Sequence, residues 1–187
     1  SDPSDKWIEV AGTGTATYEI NPYLGTKALK VSGDSKYVAG RMDPVTSAIF
    51  EARIKQTGTY NSFFTVLGST SEYTFYAFRP YFSSQAELYK FSKGTWTLTT
   101  NAPGIDPTSW RHIRIIADPV ANRISVYVDG TRIIHNEYTT SYSGVIGARS
   151  GVGGNSTIYL DQILVRAYSA TPPAAIAFGP EQASGNL

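Results

Sequence analysis

Residues Ser109–Gly130 read SWRHIRIIADPVANRISVYVDG, and they decide the fold. In the first arm Trp110, His112, Arg114 and Ile116 alternate with Arg111, Ile113, Ile115 and Ala117. In the second, Ile124, Val126 and Val128 share one face and Ser125, Tyr127 and Asp129 take the other, the period of two of a half-buried strand. Asp118-Pro119 begins the first reversal by fixing φ. Asp129-Gly130 supplies the positive φ of a primed hairpin turn, after which TRIIHNEY leaves as a third strand. Three antiparallel strands in succession make a meander, and each arm lays an aliphatic row on a core.

Working outward, the same pattern recurs in both directions. Toward the N-terminus, WIEV, TATYEI, ALKVSG and KYVAGRM are short alternating runs bounded by Gly, Asn-Pro or Asp-Ser. SAIFEARIKQTG is longer, with Phe50 and Ile54 facing the core and Ile49, Glu51, Arg53 and Lys55 facing out. YNSFFTVLGS and EYTFYAFRPYF are aromatic on both faces, and AELYKFSKG and TWTLTTN pair around Ser92-Lys93-Gly94. Toward the C-terminus, SGVIGARSG and STIYLDQILVRAY flank the turn Gly151–Gly154. No stretch carries a 3.6-residue stripe. About fourteen short strands with turn signals at short intervals predict an all-β, two-sheet antiparallel jelly-roll sandwich, with a small β-barrel as the rival. The sandwich is favoured because WIEV and IYLDQILV read as neighbours in one sheet. Residues 1–168 form one domain in this reading, and the Pro/Ala/Gly-rich stretch 169–187 is a linker toward a neighbouring module.

Composition narrows the function. In 187 residues, 16 basic against 15 acidic side chains leave a net charge of +1, so no long-range field recruits nucleic acid or an anionic membrane. No apolar run approaches the roughly 20 residues of a membrane helix, and the opening SDPSDKW lacks the parts of a signal peptide. With no cysteine there is neither a disulfide framework nor a thiolate metal site. Thirteen tyrosines within an aromatic content of 13% point to a surface carrying flat, amphipathic rings.

The strand Trp110-Arg111-His112-Ile113-Arg114 and the hairpin Val126–Gly130 resemble the late part of the laminin-G-like and concanavalin A-like sandwiches, a likeness covering residues 45–168. The segment SAIFEARIKQTGTYNSFFTVLGSTSEYTFYAF is similar to the front of the laminarinase and lichenase-type β-glucanases, in which a strand F-E-x-R-I-K precedes a catalytic E-x-D-x-x-E strand. On that pattern Glu72 takes the first carboxylate position, but Thr74 and Ala77 take the other two. Retaining hydrolysis needs two carboxyl groups about 5 Å apart. The resemblance therefore implies a kept fold and an absent active site, unless Glu87 on the adjoining strand lies beside Glu72. In several carbohydrate-binding sandwiches the last strand gives an aspartate to a structural calcium. Asp161 occupies that place, with Glu9 or Glu19 as helpers, although the next residue is Gln162 and a salt bridge or turn cap is an equal reading.

Two histidines, His112 and His135, sit on separate strands without a G-x-S-x-G elbow and read as structural. Asn155-Ser156-Thr157 is a glycosylation triplet that carries no function. The aromatic strand carries more. Tyr73, Phe75, Arg79 and Tyr81 share one face of it and Tyr76, Phe78 and Phe82 the other, so one face is core and the other exposes rings. Rows of rings grip the apolar faces of sugars while Arg or Asn bonds the hydroxyls. Tyr89, Trp96, Tyr60 and Asn61 extend the platform. The expected function is a non-catalytic carbohydrate-binding module of a secreted or cell-surface multidomain protein, gripping a glucan-like polysaccharide. A structural or adhesive surface domain that contacts protein is the first alternative, and a β-glucan hydrolase the second.

Overall fold

The computed structural model describes residues 6–20, 27–59, 61–69, 73–137 and 143–169. Tyr60, Glu72 and the tail from residue 170 onward, named above, lie outside this set. Twelve strands are present: β1 Trp7–Ile20, β2 Lys27–Gly40, β3 Ala48–Gly58, β4 Phe63–Ser69, β5 Thr74–Phe82, β6 Gln85–Ser92, β7 Thr95–Pro103, β8 Arg111–Asp118, β9 Arg123–Val128, β10 Thr131–Glu137, β11 Val145–Arg149 and β12 Ser156–Ala167. The described residues contain no helix.

Hydrogen bonding follows the order β10-β9-β8-β3-β12-β2-β11-β4-β5-β6-β7, with β1 beside β2. The path divides at β2, because residues Leu29–Ser32 pair with β12 whereas Tyr37–Ala39 pair with β11. One strand thus serves two sheets, a way of turning a sandwich corner. The turn is made at Gly33 and Gly14, which pair with each other and hold φ of 114° and 132°. A Cβ on Gly14 would overlap the Ser32 carbonyl oxygen, so only glycine lets the two backbones approach there.

Two departures from the sequence reading follow from this bend. WIEV and TATYEI are two halves of β1, and ALKVSG and KYVAGRM are two halves of β2. Glycines that look like turns are bends, so the described residues hold twelve strands. WIEV is not a ladder neighbour of IYLDQILV, since the first half of β1 pairs with residues 37–40 of β2, in the other sheet. The antiparallel sandwich itself stands. The far edges β7 and β10 approach each other without a hydrogen-bonded ladder between them.

The two sheets close on one core. Phe50, Ala52 and Ile54 of β3, Ile113 and Ile115 of β8, and Ile124 and Val126 of β9 meet Phe64, Val66, Tyr76, Phe78 and Leu88 from the other sheet. The meander is as read: Asp118 Oδ1 accepts from the backbone of Val120 and Ala121, and Asp129 and Gly130 hold φ of 48° and 86°. Outside the first sheet lies a charged face, where Glu51 receives Arg166 and His112. Outside the second lies a smaller apolar cluster containing Tyr37, Phe63, Phe75, Ala77, Phe91 and Val145.

Candidate functional site

The outer face of the second sheet is built by alternation. With Tyr76 and Phe78 pointing into the core, Tyr73, Phe75, Ala77 and Arg79 must point away from it. Register then sets the rows: Phe75 stands opposite Phe91, and Phe91 opposite Trp96, while Ala77 faces Tyr89 and Arg79 faces Glu87. The two-residue turn Lys93-Gly94, with φ of 48° and 90°, returns the chain so that Trp96 falls in this register. Arg149 of β11 pairs with Phe63 of β4 and brings a second guanidinium onto the same face.

These rings pack on one another and do not form an open row. Phe75 stacks on Phe91 at 4.8 Å and lies 4.9 Å from Tyr37, and Trp96 approaches it edge-on at 5.8 Å. It is 0% exposed. A sugar-stacking role for Phe75 is therefore corrected to a second-core role, although the division of the strand into two faces holds. Tyr73 packs into the same cluster against Phe91. Tyr81 is carried away by a register shift between Arg79 and Phe82 and lies beside Gly104. Trp96 roofs the cluster, stacked on Phe63 at 4.8 Å and perpendicular to Tyr89.

Four of the residues predicted from the sequence do meet. Asn61, Arg79, Tyr89 and Trp96, joined by Phe63, Arg149 and Val152, line a cavity of about 210 Å³. Arg79, one of its lining residues, is paired with Glu87, and each is 6% exposed. Arg79 donates Nε to Glu87 Oε2 at 2.8 Å and Nη2 to the same oxygen. Nη1 donates to Asn61 Oδ1 and Nη2 also reaches the Tyr89 hydroxyl at 3.2 Å. So fixed, the guanidinium offers a rigid polar wall beside the rings of Phe63 and Tyr89, 5.2 and 5.4 Å from its centre. Burial first, and then the Glu87 carboxylate, push the Tyr89 phenol up against the opposing pull of Arg79. Its hydroxyl therefore keeps its proton at neutral pH.

Phe63 and Arg149 were not singled out in the sequence. A signal for Arg149 exists: it is the lone charge in SGVIGARSG, whose strand Val145–Arg149 is buried at every position. Single charges in such runs are bought with a purpose or a partner.

Glu87 is committed to Arg79, so it is not a free second carboxylate beside Glu72, which lies outside the described residues. Thr74 and Ala77 are buried. The histidines are structural, His135 Nδ1 lying 2.9 Å from Ser125 Oγ and His112 Nε2 3.3 Å from Glu51.

The calcium expectation at Asp161 does not fit the residues present. Asp161 Oδ1 accepts the Gln162 N–H at 2.7 Å. Glu19 and Glu9 are bound to Lys30 and Lys36 at 2.6 and 2.5 Å. Calcium wants about six to eight oxygens, and among the described residues no three His, Cys, Asp or Glu side chains gather to hold a metal. Asp161 instead borders a larger cavity of about 690 Å³ at the open edge of the sandwich, among apolar core residues and the cations Lys6, Lys27 and Arg41.

Architecture and strand order make the chain a concanavalin A-like sandwich of jelly-roll type. Among solved structures it is similar to the carbohydrate-binding module CBM66 of Bacillus subtilis, with a TM-score of 0.68 at 14% identity over 87% of this chain and 96% of that one. It also resembles a β-glucanase of Bacillus licheniformis, with a TM-score of 0.59 at 14% identity over 88% and 92%. A third likeness is domain 4 of AbnA, an extracellular arabinanase of Geobacillus stearothermophilus solved with arabinotriose, with a TM-score of 0.53 at 14% identity over 84% and 83%. No family model and no curated protein matches the sequence.

Proposed function

We propose that this domain is a non-catalytic carbohydrate-binding module, serving a larger secreted or cell-surface protein, that holds a sugar residue of a polysaccharide in the Trp96–Tyr89–Arg79 cavity. The observation that carries this reading is the combination found there: half-buried rings of Trp96 and Tyr89 beside a guanidinium fixed by Glu87 and Asn61. Apolar ring faces meet the C–H face of a pyranose, and fixed donors meet its hydroxyls. The cavity's about 210 Å³ lies below the roughly 300–1,000 Å³ of pockets that enclose drug-sized ligands. It therefore suits one ring, at a chain end or a side branch, better than the flat surface of a packed glycan. Fold likeness to a carbohydrate-binding module and to an arabinanase domain solved with arabinotriose supports a sugar as ligand.

Hydrolysis is not part of the proposal, because among the described residues no carboxylate lines the cavity and Glu87, behind Arg79, is paired with it, whereas glycoside hydrolysis needs two carboxyl groups. The test is retention on a panel of soluble and insoluble polysaccharides, comparing the wild type with Trp96→Ala while folding is monitored by circular dichroism. Retention by at least one polysaccharide, lost in the folded variant, is the expected result. A wild type that no polysaccharide retains, or a variant retained as well as the wild type, removes the proposal.

A further inference from the structure

Arg149 is 6% exposed, lines the same cavity as Trp96 and Arg79, and has no acidic partner among the described residues. The contrast with Arg79 is direct. Arg79 spends its fork on Glu87, so that pair is neutral. Arg149 donates Nη1 to the Ser150 carbonyl oxygen at a long 3.3 Å, its Nε is buried with no acceptor at all, and its guanidinium lies 5.0 Å from the Trp96 ring centre. Ring stacking and one weak bond do not replace the hydration that a guanidinium gives up on burial. A buried cation left unpaired costs stability, and removing a partner from such a pair is what ordinarily destabilises it. An uncompensated charge facing a cavity has a physical reason when the compensating charge arrives with the ligand.

We infer that Arg149 is an anion-recognition residue and that the sugar held in this cavity carries a carboxylate, making the ligand class a uronic acid-containing polysaccharide. This rests on the reading of the cavity as a sugar site. A planar carboxylate matches a guanidinium fork, and a charge-assisted bond of this kind is stronger than a neutral one. The Arg149 guanidinium lies over the Trp96 ring, and Arg79, Asn61 and Tyr89 line the same cavity to meet the ring hydroxyls. The protein's net charge of +1 gives no general attraction for polyanions, so selectivity for an acidic sugar would have to come from this one group.

Titration calorimetry with oligosaccharides of galacturonic, glucuronic and mannuronic acid, each beside its methyl ester and its neutral hexose counterpart, tests the inference. At least one acid form is expected to bind about tenfold or more tightly than its own methyl ester, as loss of a charge-assisted bond requires. Arg149→Lys keeps the charge but not the fork, and Arg149→Met removes both. The expected order of affinity for that acid form is wild type, then lysine, then methionine, with the preference for the acid over its own ester shrinking in the same order. The ester comparison uses the wild type alone, so it decides the matter even if a variant does not fold. Binding of neutral sugars or methyl esters as tightly as the acids overturns the carboxylate inference and leaves the sugar site standing. Binding of none of these sugars also overturns the carboxylate inference, and the sugar site then stands or falls on the polysaccharide retention test.

Discussion

Phe75 and Trp96 flank Phe91 in one cross-strand row, yet they answer truncation differently. Phe75 is enclosed by Phe91, Tyr37 and Trp96, so Phe75→Ala leaves a cavity and should cost about 3–5 kcal/mol. Trp96 is half-exposed above the cluster, and Trp96→Ala should cost about 1–2 kcal/mol while removing sugar binding. Urea unfolding of both variants checks the ranking, and an equal loss for the two would contradict a Trp96 roof over a buried Phe75. On the opposite face, Glu51 makes a pH prediction. Burial raises its carboxyl, but Arg166 and His112 together outweigh it, and the group sits below its ordinary 4.5. A depressed carboxyl gives stability that is fully present above 4.5 and is lost as pH falls through its folded value. The stability gap between wild type and Glu51→Gln should therefore hold from neutral pH down to 4.5 and shrink as the pH falls further, as unfolding at each pH would reveal. The sequence could place Arg79 and Tyr89 on one side of the sheet because strand alternation is local. It could not foretell that Phe75 lies covered, since that depends on Trp96 reaching over from β7.

Elements joined by short turns were legible, and elements that bend were not. Lys93-Gly94 and Asp129-Gly130 are residues whose backbones accept positive φ, and each became a hairpin turn. Ser83-Ser84 makes a turn of the same sense, with φ of 49° and 68°, from residues that advertise it poorly. At Gly14 and Gly33 the local signal is that of a turn, and only the ladder of β1 with β2, in which the two face each other, shows both strands continuing through. A side chain at Gly33 would meet Gly14 Cα and the Thr13 carbonyl oxygen. Gly33→Ala is expected to cost about 2 kcal/mol or more through backbone strain, whereas at Gly94, where a Cβ has open space around it, alanine should cost only about 1–2 kcal/mol. Similar losses at the two positions in thermal unfolding would argue against the bend as the critical feature.

For the molecule as a whole, the donor arrangement around Asp161 predicts that stability does not depend on calcium. Ions that bind the folded state alone raise the melting temperature by mass action, so melting curves in chelator and in millimolar calcium should coincide. A shift of several degrees would require oxygen ligands that Asp161, Glu9 and Glu19 do not provide. The shared strand β2 has a further consequence, for the order in which the chain can assemble. β2 and β3 follow one another in sequence but are not partners, and the space between them is filled by β12, which pairs with Leu29–Ser32 on one side and with most of β3 on the other. As the protein leaves the ribosome, the centre of the first sheet must wait for residues 156–167, so the growing chain carries two incomplete sheet edges through most of its synthesis. Folding of such long-range pairings is slow, on the order of milliseconds to seconds, and exposed edges in that interval invite pairing between chains. A chain ending before Ser156 would lack its central strand and should not fold into a smaller sandwich.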